Sequence, residues 1–282
     1  MSIGKTILLG LIGAGIQGSR TPDMQMEEGE RQGIRTIYQK IDLTLLGLGA
    51  DALPQLLTAA EQMGFAGLNI TFPCKQAVIP LLHELSGDAR ALGAVNTVVL
   101  QDGKRIGHNT DLFGYAENFR RGLGDVKKDR VVQLGAGGAG SAVAHGLLQL
   151  GVGQLTIFDT DPARSQQVAG DLVQRFGAGR AVAGTDLQAA GAAADGVVNT
   201  TPVGMAKLPG TPLPQELLRP ALWLSEIVYF PLETEFLKNG RAIGCRTLNG
   251  GGMAVFQAVE AFRLFTGIEP DAERMRRHFE SL

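Results

Sequence analysis

The feature that most constrains this fold is a glycine triplet between an apolar run and an alanine-rich stretch. Gly135, Gly137 and Gly140 have the spacing G-x-G-x-x-G. Residues 131–134 before them predict a buried strand, and the pattern of residues 141–150 predicts a helix. In such a strand–turn–helix unit, the glycines let the backbone turn tightly and approach a pyrophosphate at the positive helix N-terminus. The triplet therefore predicts a Rossmann-type dinucleotide-binding domain.

An acidic residue completes this pattern. A second apolar run, residues 154–158, predicts the next strand, and it ends in Asp159. A carboxylate at this place can accept hydrogen bonds from the adenosine ribose of a bound dinucleotide. Together, strand, glycine turn, helix, strand and acid are much more specific than a glycine triplet alone.

Composition narrows the class of protein. The chain has 282 residues, enough for two modest domains. Its net charge of −2 and pI of about 6.1 give no electrostatic reason to expect nucleic acid or a membrane as partner. The two cysteines, Cys74 and Cys245, lie far apart without metal-ligand spacing, which is typical of a reducing compartment. We expect a cytoplasmic protein without a metal site that acts on a small molecule.

Strand and helix patterns alternate along most of the chain. Before the glycine triplet, strands are predicted at residues 7–12, 36–42 and 68–71, with helices at 22–33, 52–63 and 76–85. Asp102-Gly103 between two apolar runs predicts a hairpin that adds antiparallel edge strands. After the triplet, strands are predicted at 180–183, 196–201 and 222–229, and a helix at 253–265.

This alternation predicts an α/β fold with two domains and a cleft between them. Residues 1–112 are expected to form a mostly parallel N-terminal substrate-binding and catalytic domain. Residues 113–246 are expected to form the doubly wound nucleotide-binding domain. Residues 247–282 are expected to be helices that return to the first domain.

Polar residues cluster after several predicted strands, and each cluster also has an ordinary structural explanation. Ser19 and Thr21 are well placed to cap the helix that begins at Pro22. Lys75 could be a surface lysine, although a positive charge at the start of a helix is unfavourable. Asp111 is equally suited to capping a helix. Taken singly, none of these residues establishes a function.

Taken together, the clusters resemble the motifs of the shikimate dehydrogenase family, and the resemblance covers essentially the whole chain. The matching stretches are Ser19-Arg-Thr-Pro22, Asn69-Ile-Thr-Phe-Pro-Cys-Lys75, Gly93-Ala-Val-Asn-Thr97, Gly107-His-Asn-Thr-Asp-Leu-Phe-Gly114, Asn199-Thr-Thr-Pro-Val-Gly-Met205, Val228-Tyr-Phe-Pro-Leu-Glu-Thr234 and Gly252-Met-Ala-Val-Phe-Gln257. So many motifs in the same order make the resemblance highly specific.

The resemblance implies a role for each matching residue. Lys75 and Asp111 would form the catalytic pair, in which the carboxylate favours the charged lysine. The substrate-binding residues would be Ser19, Thr21, Thr71, Lys75, Asn96, Asp111, Tyr229 and Gln257. The cofactor-binding residues would be Gly135, Ala136, Gly137, Gly138, Ala139, Asp159, Arg164, Thr201, Pro202, Ile227, Gly250 and Met253.

The sequence departs from the common family pattern at a few places. Asp159 stands where NADP-using members commonly carry an arginine motif, and its carboxylate would repel a 2′-phosphate. We therefore expect a preference for NAD, with NADP possible and Arg164 on the adenosine side. Thr21 replaces the usual serine, which resembles the NAD-dependent quinate/shikimate dehydrogenase branch. Glu226 stands where aspartate is common, beside cofactor-contact positions.

The resemblance thus implies an oxidoreductase that interconverts shikimate and 3-dehydroshikimate, or the quinate equivalents, in or near the shikimate pathway of aromatic amino acid biosynthesis. Two alternatives stay open at this point. One is an aminoshikimate-type or otherwise specialised paralogue, and the other is a nucleotide-binding regulator that has lost catalysis. Substrate preference and the choice between monomer and homodimer are also open.

Overall fold

The chain folds into two compact α/β units. The computed structural model describes residues 5–282, so the first four residues of the predicted domain 1–112 lie outside the described residues. The first unit comprises the described residues up to Thr110 together with Val255–Leu282. The second unit comprises Asp111–Ala254.

The strands, in chain order, are β1 (Thr6–Gly13), β2 (Arg35–Asp42), β3 (Phe65–Ile70), β4 (Glu84–Leu85), β5 (Thr97–Gln101), β6 (Lys104–His108), β7 (Arg130–Leu134), β8 (Gln154–Phe158), β9 (Ala181–Ala183), β10 (Gly196–Asn199), β11 (Trp223–Glu226) and β12 (Arg246–Leu248).

The α-helices are α1 (Thr21–Arg31), α2 (Leu43–Leu46), α3 (Leu53–Gln62), α4 (Cys74–Ala77), α5 (Gly87–Leu92), α6 (Thr110–Leu123), α7 (Gly138–Gln149), α8 (Pro162–Phe176), α9 (Leu187–Ala193), α10 (Glu235–Ala242), α11 (Gly251–Thr266) and α12 (Ala272–Ser281). Among the described residues, no helix has the length and apolar character that crossing a membrane requires.

The sheet of the first unit has the strand order β2-β1-β3-β5-β6-β4. β1 pairs in parallel with β2 and β3, whereas β5 pairs antiparallel with both β3 and β6. Buried side chains cover both faces of this sheet. One core cluster includes Ile12, Leu53 and Leu57, and the other includes Leu9 and Phe262. This two-sided burial explains why the central strands are nearly continuous apolar runs.

The hairpin predicted at Asp102-Gly103 is present. Both residues have positive φ values, 52° and 71°, as a two-residue turn of this kind requires. The hairpin strands do not, however, form the edge of the sheet as expected. β5 lies between β3 and β6, and the short strand β4 pairs in parallel with β6 at the outside.

The helix predicted over residues 76–85 is wrong. α4 ends at Ala77, a 3₁₀ turn follows at Ile79–Leu81, and β4 begins at Glu84. Pro80 lies within this segment, and proline lacks the amide that a continuing helix needs. The amide of His83 instead donates to the Arg105 carbonyl, which aligns β4 beside β6. The apolar residues of this segment pack against the core cluster that includes Ile12, and this burial does not require a helix.

The sheet of the second unit is entirely parallel, with the order β12-β11-β10-β7-β8-β9. The strand order reverses between β7 and β10, and this arrangement is the doubly wound Rossmann topology. Successive residues of β7 face opposite core clusters, because Val131 belongs to one cluster and Val132 to the other. In such sheets, ligands bind at the carboxyl ends of the strands beside the reversal point.

A close approach in the first unit generates a stability prediction. A β-carbon at Gly67 would lie 2.2 Å from the Phe265 ring and 2.8 Å from the Val98 carbonyl oxygen. Gly67→Ala should therefore overpack β3 and lower the free energy of unfolding by about 1–3 kcal/mol. Urea denaturation followed by circular dichroism measures this loss.

Gly87→Ala is the matched control, because a β-carbon at Gly87 meets no atom within 4 Å. Its free energy of unfolding should stay within about 0.5 kcal/mol of the wild-type value. Equal stability of the two variants would show that the contact between Gly67 and Phe265 does not constrain the core.

Candidate active site

The glycine turn lies where the strand order of the second sheet reverses. Gly135 follows β7 directly and has a φ of 102°, which only glycine adopts readily. A β-carbon there would lie 2.7 Å from Thr200 Oγ1. The Thr200 hydroxyl is within hydrogen-bond distance of the carbonyls of Leu134 (2.9 Å) and Gly135 (2.8 Å). These contacts join the loop after β7 to the loop after β10.

The other two glycines have different roles in the same turn. A β-carbon at Gly140 would lie 2.6 Å from the Gly135 carbonyl oxygen, so this glycine allows α7 to pack closely on its strand. A β-carbon at Gly137 would meet no atom within 4 Å. Gly137 is also the N-cap residue of α7 and provides no side-chain cap. The positive end of α7 thus begins at an open stretch of backbone that suits an anionic group.

Gln133, a buried residue on β7, fixes the shape of this turn. Its Nε2 donates to the carbonyls of Gly135 and Gly140, both at 2.9 Å. Gln133 is not among the residues predicted from the sequence. A glutamine in an otherwise apolar strand, two positions before the first glycine, is the signal that could have identified it.

Asp159, at the end of β8, contacts the glycine turn directly. Its Oδ2 accepts a hydrogen bond from the Ala136 amide at 2.7 Å, and its Oδ1 accepts one from the Asp161 amide at 2.9 Å. Burial alone would raise the pKa of Asp159, but these hydrogen bonds and the nearby charge of Arg164 hold that pKa below its ordinary value. A charged carboxylate is therefore fixed beside the turn.

Arg164 lies on α8 and is largely exposed. Its Nε is 3.5 Å from a carboxylate oxygen of Asp161, the residue whose side chain caps this helix. The side chain is thus on the same side of the second unit as Asp159, and it pairs with a neighbouring acid.

The loops after β10 and β11 are held by a buried pair of side chains. Asn199 and Glu226 end these strands and are paired in register. Asn199 Nδ2 is 2.9 and 3.0 Å from the two carboxylate oxygens of Glu226. Asn199 Oδ1 accepts hydrogen bonds from the amide and hydroxyl of Thr201, and Glu226 Oε1 accepts from the Ile227 amide. The predicted cofactor residues Thr201 and Ile227 are therefore anchored through this pair.

Glu226 also explains why β11 is shorter than the strand predicted over residues 222–229. Its carboxylate accepts hydrogen bonds from the amides of Ile227 and Val228, and the chain leaves the sheet at this point. Burial raises the pKa of Glu226 to about 7, and its hydrogen bonds oppose this only in part.

Two further predicted cofactor residues lie close to the same loop. A β-carbon at Gly250 would come within 2.4 Å of the Ile227 carbonyl oxygen and 2.6 Å of the Val228 carbonyl oxygen, so only glycine fits here. Met253 is buried in the core cluster against which Ile227 packs. All twelve predicted cofactor residues belong to the second unit.

In the first unit, the predicted hydroxyl residues follow β1 and β3. The Thr71 amide donates to the Ile12 carbonyl, which places Thr71 beside the end of β1. Ser19 Oγ accepts a 3.4 Å hydrogen bond from the Thr21 amide. Arg20, not Ser19 or Thr21, is the N-cap of α1, and its side chain makes no capping hydrogen bond. The Ser19 hydroxyl thus meets the first amide of α1 from one residue before the N-cap, and Thr21 is the first residue of the helix.

Asp42 fixes the loop that carries Ser19. Its carboxylate accepts hydrogen bonds from the Gly15 amide (2.9 Å), the Ile16 amide (3.1 Å) and the Gln17 side chain (2.9 Å). The hydrogen bond from Gln17, followed by those from the backbone, lowers the pKa of Asp42 despite its burial. The sequence predicts Asp42 only as the end of a strand, and nothing in its local pattern indicates this role.

A chain of buried hydrogen bonds crosses the first unit to Asn96. The Tyr38 hydroxyl is 2.7 Å from Asn69 Oδ1, and Asn69 Nδ2 is 3.0 Å from Thr97 Oγ1. Thr97 donates to Asn96 Oδ1 at 3.1 Å, and that oxygen also accepts the Thr110 amide at 2.7 Å. Asn96 is thus held at the start of α6. Asn69, a polar residue in the otherwise apolar strand β3, is the signal in the sequence that could have identified this chain of hydrogen bonds.

The remaining predicted residues fall in both units. Lys75 is half-buried in α4 of the first unit, and its carbonyl accepts a hydrogen bond from the Val95 amide at 2.8 Å. Gln257 lies on α11 in the same unit, with its Oε1 3.5 Å from the Thr110 hydroxyl. Asp111 and Tyr229 belong to the second unit. The pairing of Lys75 with Asp111 stays a prediction.

Comparison with known proteins reveals similarity over the whole chain. Two family models match, one for the shikimate dehydrogenase substrate binding domain at residues 11–98 and one for the shikimate 5′-dehydrogenase C-terminal domain at residues 250–278. The chain is 57% identical to a shikimate dehydrogenase (NADP(+)) of Streptomyces avermitilis, over 95% of this chain and 93% of that protein.

Two further proteins are similar at nearly full length. The chain is 53% identical to a quinate/shikimate dehydrogenase (NAD(+)) of Corynebacterium efficiens, over 98% of this chain and 99% of that protein. Its fold matches a crystallised quinate dehydrogenase from Corynebacterium glutamicum in complex with NAD, with a TM-score of 0.94 and 49% identity. That match covers 99% of this chain and 100% of the other chain. These matches confirm the predicted fold class.

The buried carboxylate of Glu226 generates a pH-dependent stability prediction. Its pKa rises from an ordinary 4.5 to about 7 on folding, so between these values the folded protein holds a proton that the unfolded chain releases. The stability from this group is fully present below about pH 4.5 and is lost as the pH rises through 7. Relative to Glu226→Gln, the wild type should lose up to about 3 kcal/mol of unfolding free energy over this range.

Urea denaturation at intervals between about pH 4.5 and 8 measures the difference between the two proteins. Glu216→Gln, at an exposed position, is the control variant and is measured over the same range. A difference between Glu226→Gln and wild type that stays constant with pH would contradict the raised pKa.

Proposed function

The chain belongs to the shikimate dehydrogenase family, and we propose that it transfers a hydride between NAD and a ring hydroxyl of shikimate or quinate. The observation that carries this proposal is the glycine turn with Asp159 at the reversal point of an all-parallel sheet. The similarity to the shikimate and quinate/shikimate dehydrogenases over nearly the full chain supports the substrate class.

We further propose that the two regions have separate roles. Residues 1–112 would bind the substrate, residues 113–246 would bind the dinucleotide, and residues 247–282 would complete the substrate side. The motif residues of the first region are mostly hydroxyl and amide side chains, which suit a polyhydroxylated acid. The second region has the topology of dinucleotide-binding domains.

The open backbone at the start of α7 supports the binding of a dinucleotide by the second unit. Gly137 leaves open space where a pyrophosphate would approach the start of α7, and no side chain caps that helix. The carboxylate of Asp159 lies beside the same turn and can accept ribose hydroxyl groups. Thr201, Pro202 and Ile227 lie in the loops after β10 and β11 and would border the nicotinamide.

Charge favours NAD over NADP in this arrangement. Asp159 and Asp161 place two carboxylates at the position where the adenosine ribose would lie, and Arg164 is paired with Asp161. A 2′-phosphate would meet this negative charge, whereas a free 2′-hydroxyl would donate to it. Since similar proteins are described with either cofactor, this local charge is the basis for the proposed preference.

We propose that the acid is held by its carboxylate and ring hydroxyls. The hydroxyl groups of Ser19, Thr21 and Thr71 are donors suited to a carboxylate. The side chains of Asn96, Asp111, Tyr229 and Gln257 are suited to ring hydroxyls. The hydrogen-bond chain behind Asn96 keeps its amide in one orientation before any ligand binds.

Lys75 is the residue proposed to move the proton. In the oxidising direction it takes the proton of the ring hydroxyl, and in the reducing direction its ammonium returns a proton to the forming alkoxide. The nicotinamide supplies or accepts the hydride when the dinucleotide is bound. Asp111 would orient Lys75 and stabilise the ammonium that forms when Lys75 takes the proton.

We also propose a cellular compartment and an oligomeric state for the protein. The protein is proposed to act in the cytoplasm, which agrees with the buried, free thiols of Cys74 and Cys245. It is proposed to be a monomer or a homodimer.

Lys75→Ala tests the catalytic assignment. Loss of the proton-transferring group should lower kcat with shikimate or quinate by about a hundredfold or more, with little change in the KM for NAD. Steady-state kinetics of both acids with NAD provide the measurement. Lys238→Ala, at an exposed position of α10, is the matched control and should retain wild-type rates.

Undiminished activity of Lys75→Ala would overturn the role of this lysine. A wild-type protein that turns over neither acid with either dinucleotide would contradict the proposed enzyme and favour a binding protein without catalysis.

Asp159→Asn tests the basis of cofactor choice. Removing one negative charge while keeping an acceptor for the Ala136 amide should raise the ratio of kcat/KM with NADP to that with NAD by about tenfold. Asp171→Asn, on the exposed face of α8, should leave the ratio unchanged. Comparable wild-type kcat/KM with the two dinucleotides would contradict the proposed preference.

A further inference from the structure

Glu226 and Asn199 form a fully buried polar pair at the ends of two neighbouring strands. Their exposed fractions are 1% and 0%. Neither residue lies in a loop, and Asn199 of β10 is directly opposite Glu226 of β11 in the parallel register. A buried carboxylate is costly unless it is hydrogen-bonded, so its retention at this place calls for a structural reason.

The carboxylate organises the loop that follows β11. Its Oε1 accepts hydrogen bonds from the amides of Ile227 and Val228, both at 2.9 Å. Its Oε2 is 3.2 Å from the Thr234 hydroxyl, at the start of α10. The segment between Glu226 and α10 is thus tied at both ends to a single side chain.

Asn199 transfers this restraint to the loop that follows β10. Its Nδ2 reaches both oxygens of Glu226 and also the Val203 carbonyl, at 2.9 Å. Its Oδ1 accepts the Thr201 amide at 2.9 Å and the Thr201 hydroxyl at 2.7 Å. The Glu226 oxygens and the Val203 carbonyl all accept from Nδ2, and together they fix which end of the Asn199 amide faces Thr201.

We propose that Glu226 is a positioning residue for the nicotinamide end of the dinucleotide, acting through Asn199 on the loops that contain Thr201, Pro202 and Ile227. This inference rests on the proposed function, because it assumes that these loops border the nicotinamide. Glu226 itself is buried and would contact neither the dinucleotide nor the substrate.

The adenosine end of the site depends on other residues. The glycine turn is held by Gln133 and by Thr200, whose amide and hydroxyl contact the carbonyls at the end of β7 and not the Glu226–Asn199 pair. Asp159 is fixed by the amides of Ala136 and Asp161. Loss of the Glu226 carboxylate should therefore weaken binding of the nicotinamide half and leave the adenosine half unaffected. This difference separates a positioning role from a general loss of structure.

Glu226→Gln is the substitution that tests this role most directly. Its Oε1 can still accept the amides of Ile227 and Val228, but its Nε2 would face the Asn199 donor. The hydrogen bond from Asn199 to one of the two oxygens is then lost, and two NH₂ groups face each other, which weakens the tie between the two loops. Glu226→Asp keeps the charge but is one methylene shorter, so it cannot reach Asn199 and both amides equally well.

The experiment measures NAD and ADP binding to the full-length protein by isothermal titration calorimetry without acid substrate, together with steady-state KM values. Glu226→Gln should weaken NAD binding and raise the KM for NAD by about tenfold, while ADP binding and the KM for the acid stay within about twofold. Glu226→Asp should bind NAD with intermediate affinity. Glu216→Gln is the control and should match wild type.

The inference is overturned if NAD binds within about twofold of wild type in every Glu226 variant that folds, as judged by circular dichroism. It is also overturned if ADP binding weakens in parallel with NAD binding. A wild-type protein that binds neither NAD nor NADP would instead overturn the proposed function, on which the inference rests.

Discussion

The close contacts of the Thr200 hydroxyl with the carbonyls of Leu134 and Gly135 connect the two halves of the second sheet at its reversal point. They require a positive φ and a bare α-carbon at Gly135, because any side chain there would collide with Thr200. The turn then presents the start of α7 and brings the Ala136 amide to Asp159. The open pyrophosphate position and the placement of the acid both depend on this contact.

The same physical constraint recurs at the carboxyl ends of strands in both units. Where a strand ends, its backbone amides leave the ladder and need new partners. Asp42, Asn96, Asp159 and Glu226 each accept one or more of these amides through a side-chain oxygen. The loops that carry the proposed binding residues are thus ordered by buried or half-buried polar groups before any ligand arrives. Such preorganisation lowers the entropic cost of holding reactants in place.

Local signals were sufficient to predict most of the fold. The glycine spacing with Asp159, and the turn at Asp102-Gly103, specify backbone geometry within a few residues. The helix predicted over residues 76–85 is wrong because its apolar periodicity says nothing of Pro80, which lacks the amide that a continuing helix needs. The polar supports were missed for a different reason. Tyr38 and Asn69 are far apart in sequence and meet only because β2 and β3 are in one sheet, and nothing local to either residue indicates the partner.

The central claim is that the second unit binds NAD at the reversal point, with its adenosine ribose at Asp159. A crystal structure of the wild-type protein with NAD tests this most directly. We expect the pyrophosphate within hydrogen-bond distance, about 3 Å, of amides between Gly137 and Ala139, and a ribose hydroxyl at a similar distance from an Asp159 oxygen. A dinucleotide bound elsewhere, or an adenosine ribose without contact to Asp159, would contradict the account.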